Sequence, residues 1–215
     1  IHRRLVGSEM CIRDRPRIWE RMYSTSLVKM RDATFFKRIL FNFSLKLGNI
    51  ATERRLNKSF NDAIARVLLL IAHVLSFRSL KKKLGLSKIS IAISGAAPIA
   101  PEVLKFFMAL GVPIFEAYGM TENCAYVTSN DFESIEIGSV GRPHANCEIK
   151  IADDGEILTR HGGTFKGYFK DEQSTREVID EEGWLHTGDV GEITERGSLI
   201  TVSYTHLRAH ETPMY

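Results

Sequence analysis

Between residues 16 and 77 apolar side chains return every three or four positions, as at Phe35, Ile39, Phe43 and Leu47, with almost no glycine between them. That period belongs to helices, and the stretch predicts two or three of them. The pattern changes after Lys88. Ile89, Ile91 and Ile93 alternate with smaller residues and then meet Ser94-Gly95-Ala96-Ala97-Pro98, which reads as a strand running into a turn. Residues 102–110 predict the next helix, with Pro101 at a first-turn position that needs no amide donor and Gly111 closing it. Residues 112–118 read as a second strand, so this region predicts a strand, a helix and a parallel strand.

Beyond Gly138 the elements shorten. Residues 148–151, 156–159, 191–194 and 199–202 predict strands divided by turns such as Asp153-Asp154-Gly155, with one helix over residues 174–180. The expected fold class is α/β: a sheet layer with helices over residues 16–137, and a smaller β-rich part over residues 138–202. No internal repeat is visible.

Composition narrows the class. A chain of 215 residues with 44% hydrophobic content can bury a real core. The formal charge of +3 is too small to point to nucleic acid, but the balance is uneven, since residues 26–88 carry 14 Lys and Arg against 3 acids. Such a face is either a solvated helical surface or one drawn to an anionic membrane or acidic ligand. Cys11, Cys124 and Cys147 are scattered without CxxC spacing, which suggests neither a disulfide framework nor zinc and fits a reducing cytoplasm. The longest apolar run, residues 65–75, is interrupted by Arg66 and His73 and is about half the ~20 residues a bilayer requires, so a buried helix is expected there. Residues 1–15 lack the apolar segment of a signal peptide.

The richest chemistry lies in Glu116-Ala117-Tyr118-Gly119-Met120-Thr121-Glu122, at the end of a predicted strand, where open α/β sheets bind ligands. Tyr118 offers a flat face to a base, and Gly119 lets the backbone approach a phosphate. The Thr121 hydroxyl can donate to phosphate oxygen, and Glu122 is the hard oxygen ligand that phosphate-bound Mg²⁺ prefers. The same residues also make an ordinary strand-exit turn. In Gly183-Trp184-Leu185-His186-Thr187-Gly188-Asp189, the Asp189 carboxylate could accept from the vicinal hydroxyls of a ribose or simply cap a turn. His186 reads as a structural hydrogen-bonder. The small residues 94–98 leave room for a planar group against the backbone. Residues 162–167 lack the GK[ST] ending and following helix of a phosphate loop, and no HExxH, nucleophile elbow or kinase signature occurs.

Taken in this order, the segments resemble the adenylate-forming superfamily of acyl-CoA synthetases, firefly luciferases and nonribosomal adenylation domains. Residues 94–98 are similar to its adenine-contacting turn, 118–122 to its aromatic, phosphate and magnesium motif, 183–189 to its GW[LF]HTGD ribose segment, and 155–168 to its GE[IL]-to-GY stretch. Pro16-Arg17-Ile18-Trp19-Glu20-Arg21-Met22, the basic helical insert and residues 77–85 are similar to bacterial long-chain fatty acid:CoA ligases. The resemblance implies part of the large N-terminal domain of such an enzyme, with ATP, Mg²⁺, CoA and a fatty acid as its ligands. It implies that Tyr118 stacks on adenine and that Gly95, Ala96, Ala97 and Pro98, with Glu116, Ala117, Gly119 and Met120, line the nucleotide. Thr121 and Glu122 are the implied catalytic pair, Thr121 on phosphate and Glu122 on Mg²⁺, and Asp189 fixes the ribose. The alternatives are an acyl-AMP ligase that loads a carrier protein and a non-catalytic nucleotide-binding module.

The family's Ser/Thr/Gly-rich phosphate loop has no counterpart before Arg54, and its Asp-Arg-Lys hinge and lysine-bearing domain have none after Val202. Residues 1–15 and 203–215 match nothing in the family and are expected to be non-native ends of adapter origin. The expectation is therefore an incomplete, inactive enzyme fragment, cytoplasmic and peripheral on membranes through its basic helices.

Overall fold

The computed structural model describes residues 11–57, 62–89 and 91–202. The expectations for residues 1–10 and 203–215 lie outside the described residues. The chain forms two compact units that meet in sequence between Phe115 and Glu116. Sequence texture suggests a boundary at residue 138. The break falls earlier because residues 117 and 118 pair with a strand only ten positions downstream, which ties residues 116–137 to the β-rich part of the chain.

In the first unit the backbone of β1 (Cys11–Asp14) runs parallel to β2 (Ile91–Gly95). Helices α1 (Pro16–Arg31), α2 (Phe35–Asn57), α3 (Ala63–Ala72), α4 (Arg78–Leu84) and α5 (Pro101–Ala109) supply the rest. A π-helical turn, His73–Phe77, joins α3 to α4, so the helical backbone runs unbroken over Ala63–Leu84. Asp62 starts it by accepting from the Ala65 amide at 2.8 Å while pairing with Arg54 at 3.0 Å. Of the two or three helices predicted over residues 16–77, three form: α1, α2 and α3. α5 buries Val103, Leu104, Phe106, Phe107 and Met108, the apolar positions that predict it. Trp19 of α1 meets Phe107 edge-on at 5.3 Å, Tyr23 meets Phe106 at 5.0 Å, and Phe41 meets Phe77 at 6.4 Å, forming the aromatic centre of this core. Gly48 lets α2 cross close to α5, since a Cβ there would lie 2.6 Å from the Ala109 carbonyl oxygen.

The apolar run at residues 65–75 departs from its expectation. Only Ala65, Ala72 and Phe77 of this region are buried, and Ile64, Val67, Leu70, Ile71 and Val74 stand exposed. By length and composition alone the continuous helix is long enough to cross a membrane, with 22% of its most apolar window buried. The apolar pattern stops at the polar residues, whereas the π turn carries the helix past His73. α2 likewise buries Phe41, Ser44, Gly48 and Ala51 while Phe36 (83% exposed), Ile39, Phe43 and Ile50 remain open to solvent.

The second unit holds the strand-exit segment of β3 (Ile114–Tyr118), antiparallel to β4 (Thr128–Ser129), which pairs with β5 (Arg142–Pro143). A meander comes next: β6 (Glu148–Ile151), β7 (Glu156–Arg160), β8 (Leu185–Ile193) and β9 (Leu199–Val202), all antiparallel, with α6 (Glu172–Val178) between β7 and β8. Asp154 accepts from the Glu156 amide at 3.1 Å, closing the predicted Asp-Asp-Gly turn. Ile157, Leu158, Leu185 and Leu199 are buried and form the core of the meander. α6 begins two residues before its predicted start because Asp171 caps it, accepting from the Ser174 amide at 3.0 Å. β8 is much longer than predicted and absorbs the segment that reads as a turn. Mixed helices and sheets make this an α/β protein.

Candidate functional site

Tyr118 closes β3, paired with Thr128 of β4. Its phenol donates to Asp189 Oδ2 at 3.0 Å across 71 positions of sequence. Burial, above all, pushes the Tyr118 phenol well above the ordinary tyrosine range, and the nearby Asp189 and Glu156 carboxylates push it the same way. It is a proton donor at every physiological pH. An ionised carboxylate has room for about four hydrogen bonds, so Asp189 can accept from a ligand hydroxyl while it holds the phenol.

Asp189 does not cap a turn ahead of a strand. It sits inside β8, at a bulge. Leu158 faces His186 while Glu156 faces Val190, so β8 carries additional residues across that stretch. Thr187, Gly188 and Asp189 take up the surplus, with Gly188 in the left-handed region at φ +69°. Thr187 Oγ1 donates to the Ile157 carbonyl at 2.7 Å and accepts from the Asp189 amide at 3.2 Å, which turns the aspartate out of the ladder.

Beyond β3 the chain makes one 3₁₀ turn, Thr121–Asn123. Gly119 precedes it, and the protein's own backbone already requires a glycine there: a Cβ would stand 2.5 Å from the Ala125 carbonyl carbon and 2.8 Å from the Tyr126 amide nitrogen. Asn123, fully buried, accepts from the Met120 amide at 2.7 Å and donates to Thr159 Oγ1 at 3.5 Å, fastening the turn to β7. Thr121 is exposed at the head of this turn. Glu122 accepts from the Tyr168 phenol at 3.0 Å, and its carbonyl accepts from the Phe165 amide at 2.7 Å. Among the described residues no Lys or Arg forms an ion pair with Glu122. A carboxylate held by a neutral phenol beside an exposed hydroxyl fits Mg²⁺, which is bound through one or two carboxylates together with substrate phosphates.

The predicted residues thus fall into two groups. Tyr118, Glu122 and Asp189 gather in the second unit with Gly119, Met120 and Thr121, while Glu116 is buried beside them, its carbonyl bound by the Asn130 amide at 2.9 Å. Gly95, Ala96, Ala97 and Pro98 leave β2 in the first unit; residues 96–98 are exposed, and Ala96 holds φ +70°. Just before that turn the Ser94 hydroxyl is buried with no hydrogen-bond partner among the described residues.

Four residues of the site escape assignment from sequence: Asn123, Glu156, Tyr168 and Thr187. Glu156 Oε1 accepts from the Gly188 amide at 2.7 Å and Oε2 pairs with His186 Nδ1 at 2.8 Å. For Glu156 and Tyr168 the sequence signal is membership of the Gly155-Glu156-Ile157 to Gly167-Tyr168 stretch. A cavity of about 480 Å³ opens among Met120, Glu122, Tyr168, His186 and Gly188.

A long-chain-fatty-acid–CoA ligase of Xenopus laevis is 34% identical to this chain over 197 residues, 86% of this chain and 25% of that protein. A peroxisomal long chain acyl-CoA synthetase of Arabidopsis thaliana is 34% identical over 192 residues, 82% of this chain and 26% of its own length. The chain spans about a quarter to a third of the length of the curated relatives it matches. Among solved structures, a Mycobacterium tuberculosis fatty acyl CoA synthetase is similar over 64% of this chain and 29% of its own, with a TM-score of 0.51 at 25% identity. The Bacillus subtilis O-succinylbenzoate Coenzyme A synthetase, solved in complex with AMP, is similar over 54% of this chain and 26% of its own, with a TM-score of 0.50 at 31% identity. Residues 16–169 match the model of the AMP-binding enzyme family, and that stretch contains Tyr118, Thr121 and Glu122. The chain belongs to the family of AMP-binding enzymes.

Proposed function

We propose that this chain forms the nucleotide-holding part of an ATP-dependent long-chain fatty acid:CoA ligase. The observation that carries the reading is the Tyr118–Asp189 hydrogen bond, which sets an aromatic face beside a carboxylate. An adenosine offers both a flat base for the ring and vicinal hydroxyls for the acid. Thr121 would donate to the α-phosphate, and Glu122 would hold Mg²⁺, whose charge balances that of the phosphates. The names of the relatives supply the substrate class.

In the proposed reaction a fatty carboxylate oxygen attacks the α-phosphorus of ATP and pyrophosphate leaves, giving acyl-AMP. The sulfur of CoA then attacks the acyl carbon, its proton passes to solvent and AMP leaves. The residues named contribute by orienting the nucleotide and stabilising charge.

The direct test is calorimetric titration of the 215-residue chain with AMP. Binding is expected, and Asp189→Ala should weaken it about tenfold, the loss of a charged hydrogen-bond acceptor. No binding, or an Asp189 variant that binds like the parent, removes the nucleotide reading. For a chain of the relatives' full length carrying this sequence, fatty acid-dependent AMP formation that requires CoA supports the ligase. Transfer to a carrier-protein thiol without CoA would favour an acyl-AMP ligase instead.

A second reading concerns where the protein works. The exposed apolar residues of α2 and α3, flanked by Lys37, Arg38, Lys46, Arg66 and Arg78, support peripheral attachment to the anionic cytoplasmic face of a membrane. Flotation with vesicles of phosphatidylglycerol is expected and should fade with added salt. Equal recovery with neutral phosphatidylcholine would remove the charge argument, and no flotation would remove the reading.

A further inference from the structure

Glu156 lies at the first position of β7, opposite Val190, where the two strands lose register. At the bulge in β8, Gly188 is exposed, and its left-handed backbone has no side chain of its own to anchor it. Two donors nevertheless converge there on one carboxylate. The Gly188 amide reaches Oε1 at 2.7 Å and His186 Nδ1 reaches Oε2 at 2.8 Å, so Glu156 grips the bulge at its start and at its crest. His186 Nε2 in turn faces Asp180 Oδ2 at 3.8 Å. Asp189 comes directly after Gly188, so the direction of its carboxylate depends on the backbone that Glu156 holds.

We propose that Glu156 is a positioning residue for nucleotide recognition, clamping the Gly188 bulge so that Asp189 presents its carboxylate to the ribose hydroxyls. The inference rests on the nucleotide reading above. A carboxylate at position 156 accepts at both oxygens, from the Gly188 amide and from His186 Nδ1. A glutamine keeps one oxygen for the Gly188 amide, and its NH₂ group can meet His186 only if the imidazole carries its proton on Nε2, so it retains a weakened clamp.

Two measurements on the 215-residue chain test it. In amide hydrogen exchange, Glu156→Ala should speed exchange of the Gly188 amide by about tenfold, the loss of one charge-assisted hydrogen bond, and Glu156→Gln should give a smaller change. In binding, the parent's preference for AMP over 2′,3′-dideoxy-AMP should collapse in Glu156→Ala to the level of Asp189→Ala, with dideoxy-AMP affinity unchanged. The double variant should lose nothing more. An unchanged Gly188 exchange rate overturns the clamp. A ribose preference that survives Glu156→Ala overturns the positioning role. A parent chain that binds AMP and dideoxy-AMP alike overturns the assignment of Asp189 to ribose, while the exchange experiment still decides the clamp. Misfolding of the alanine variant, seen by circular dichroism, leaves the glutamine variant to score both readouts.

Discussion

The Tyr118 phenol and the Asp189 carboxylate lie 3.0 Å apart, joining the end of β3 to the bulge of β8. The hydrogen bond fixes the phenol oxygen and the acid relative to each other, because neither can move away without losing it. Tyr118→Phe separates this hold from the aromatic face. It should weaken AMP binding by about three- to tenfold as Asp189 loses its alignment, whereas Tyr118→Ala should lose a further ~1–3 kcal/mol of stacking. Titration of the two variants decides the matter, and a phenylalanine variant that binds like the parent would show that the hydrogen bond does not align the acid.

Two glycines of the site are required for different reasons, and substitution tells them apart. Gly119→Ala drives a methyl group into the backbone of Ala125 and should destabilise by about 1–3 kcal/mol, as overpacking does. Gly188→Ala meets nothing within 4 Å, but its φ of +69° should cost about 1–2 kcal/mol. Asparagine tolerates the left-handed region, so Gly188→Asn should recover much of that loss while Gly119→Asn recovers none. Urea denaturation of the four variants is the measurement.

The acid limb of stability rests on three carboxylates of the second unit. Burial raises the pKa of Asp131, but the amides of Glu133 and Ser134 and the Ser134 hydroxyl outweigh it and hold the group below its ordinary value. Asp171 is depressed by the amide and hydroxyl of Ser174, and Glu148 by its hydrogen bonds from Arg160. For a folded pKa below the unfolded one, the stabilisation is complete above the unfolded value and disappears as pH falls through the folded value. Thermal midpoints should therefore hold steady near neutrality and fall below about pH 4. Asp171→Asn keeps a capping oxygen without a titrating charge, so its acid limb should be shallower; an identical profile would show that this cap does not contribute to it.

Much of the candidate site is legible along the chain. Tyr118, Thr121, Glu122 and Asp189 stand out in the sequence as an aromatic, a hydroxyl and two carboxylates in the order of the family's motifs, and the structure joins Tyr118 to Asp189. Asn123, Glu156, Tyr168 and Thr187 do not stand out, for the complementary reason. Each bonds to protein through a partner, Thr159, Gly188, Glu122 or Ile157, that lies far away in sequence. Gly119 is recognisable as necessary, but no local pattern foretells that Ala125 folds back upon it.

Periodicity and turn chemistry act over a few residues, so the helices of the first unit, the short strands of the second and the family to which they belong can all be read from residue order. So can the candidate site residues Tyr118, Thr121, Glu122 and Asp189. Three features could not be read in this way: that Asp189 lies in a bulge rather than a turn, that β8 runs from Leu185 to Ile193, and that α3 leaves apolar side chains uncovered. Those outcomes depend on register and burial, which are set by contacts between positions tens of residues apart. A pattern along the chain has no access to them.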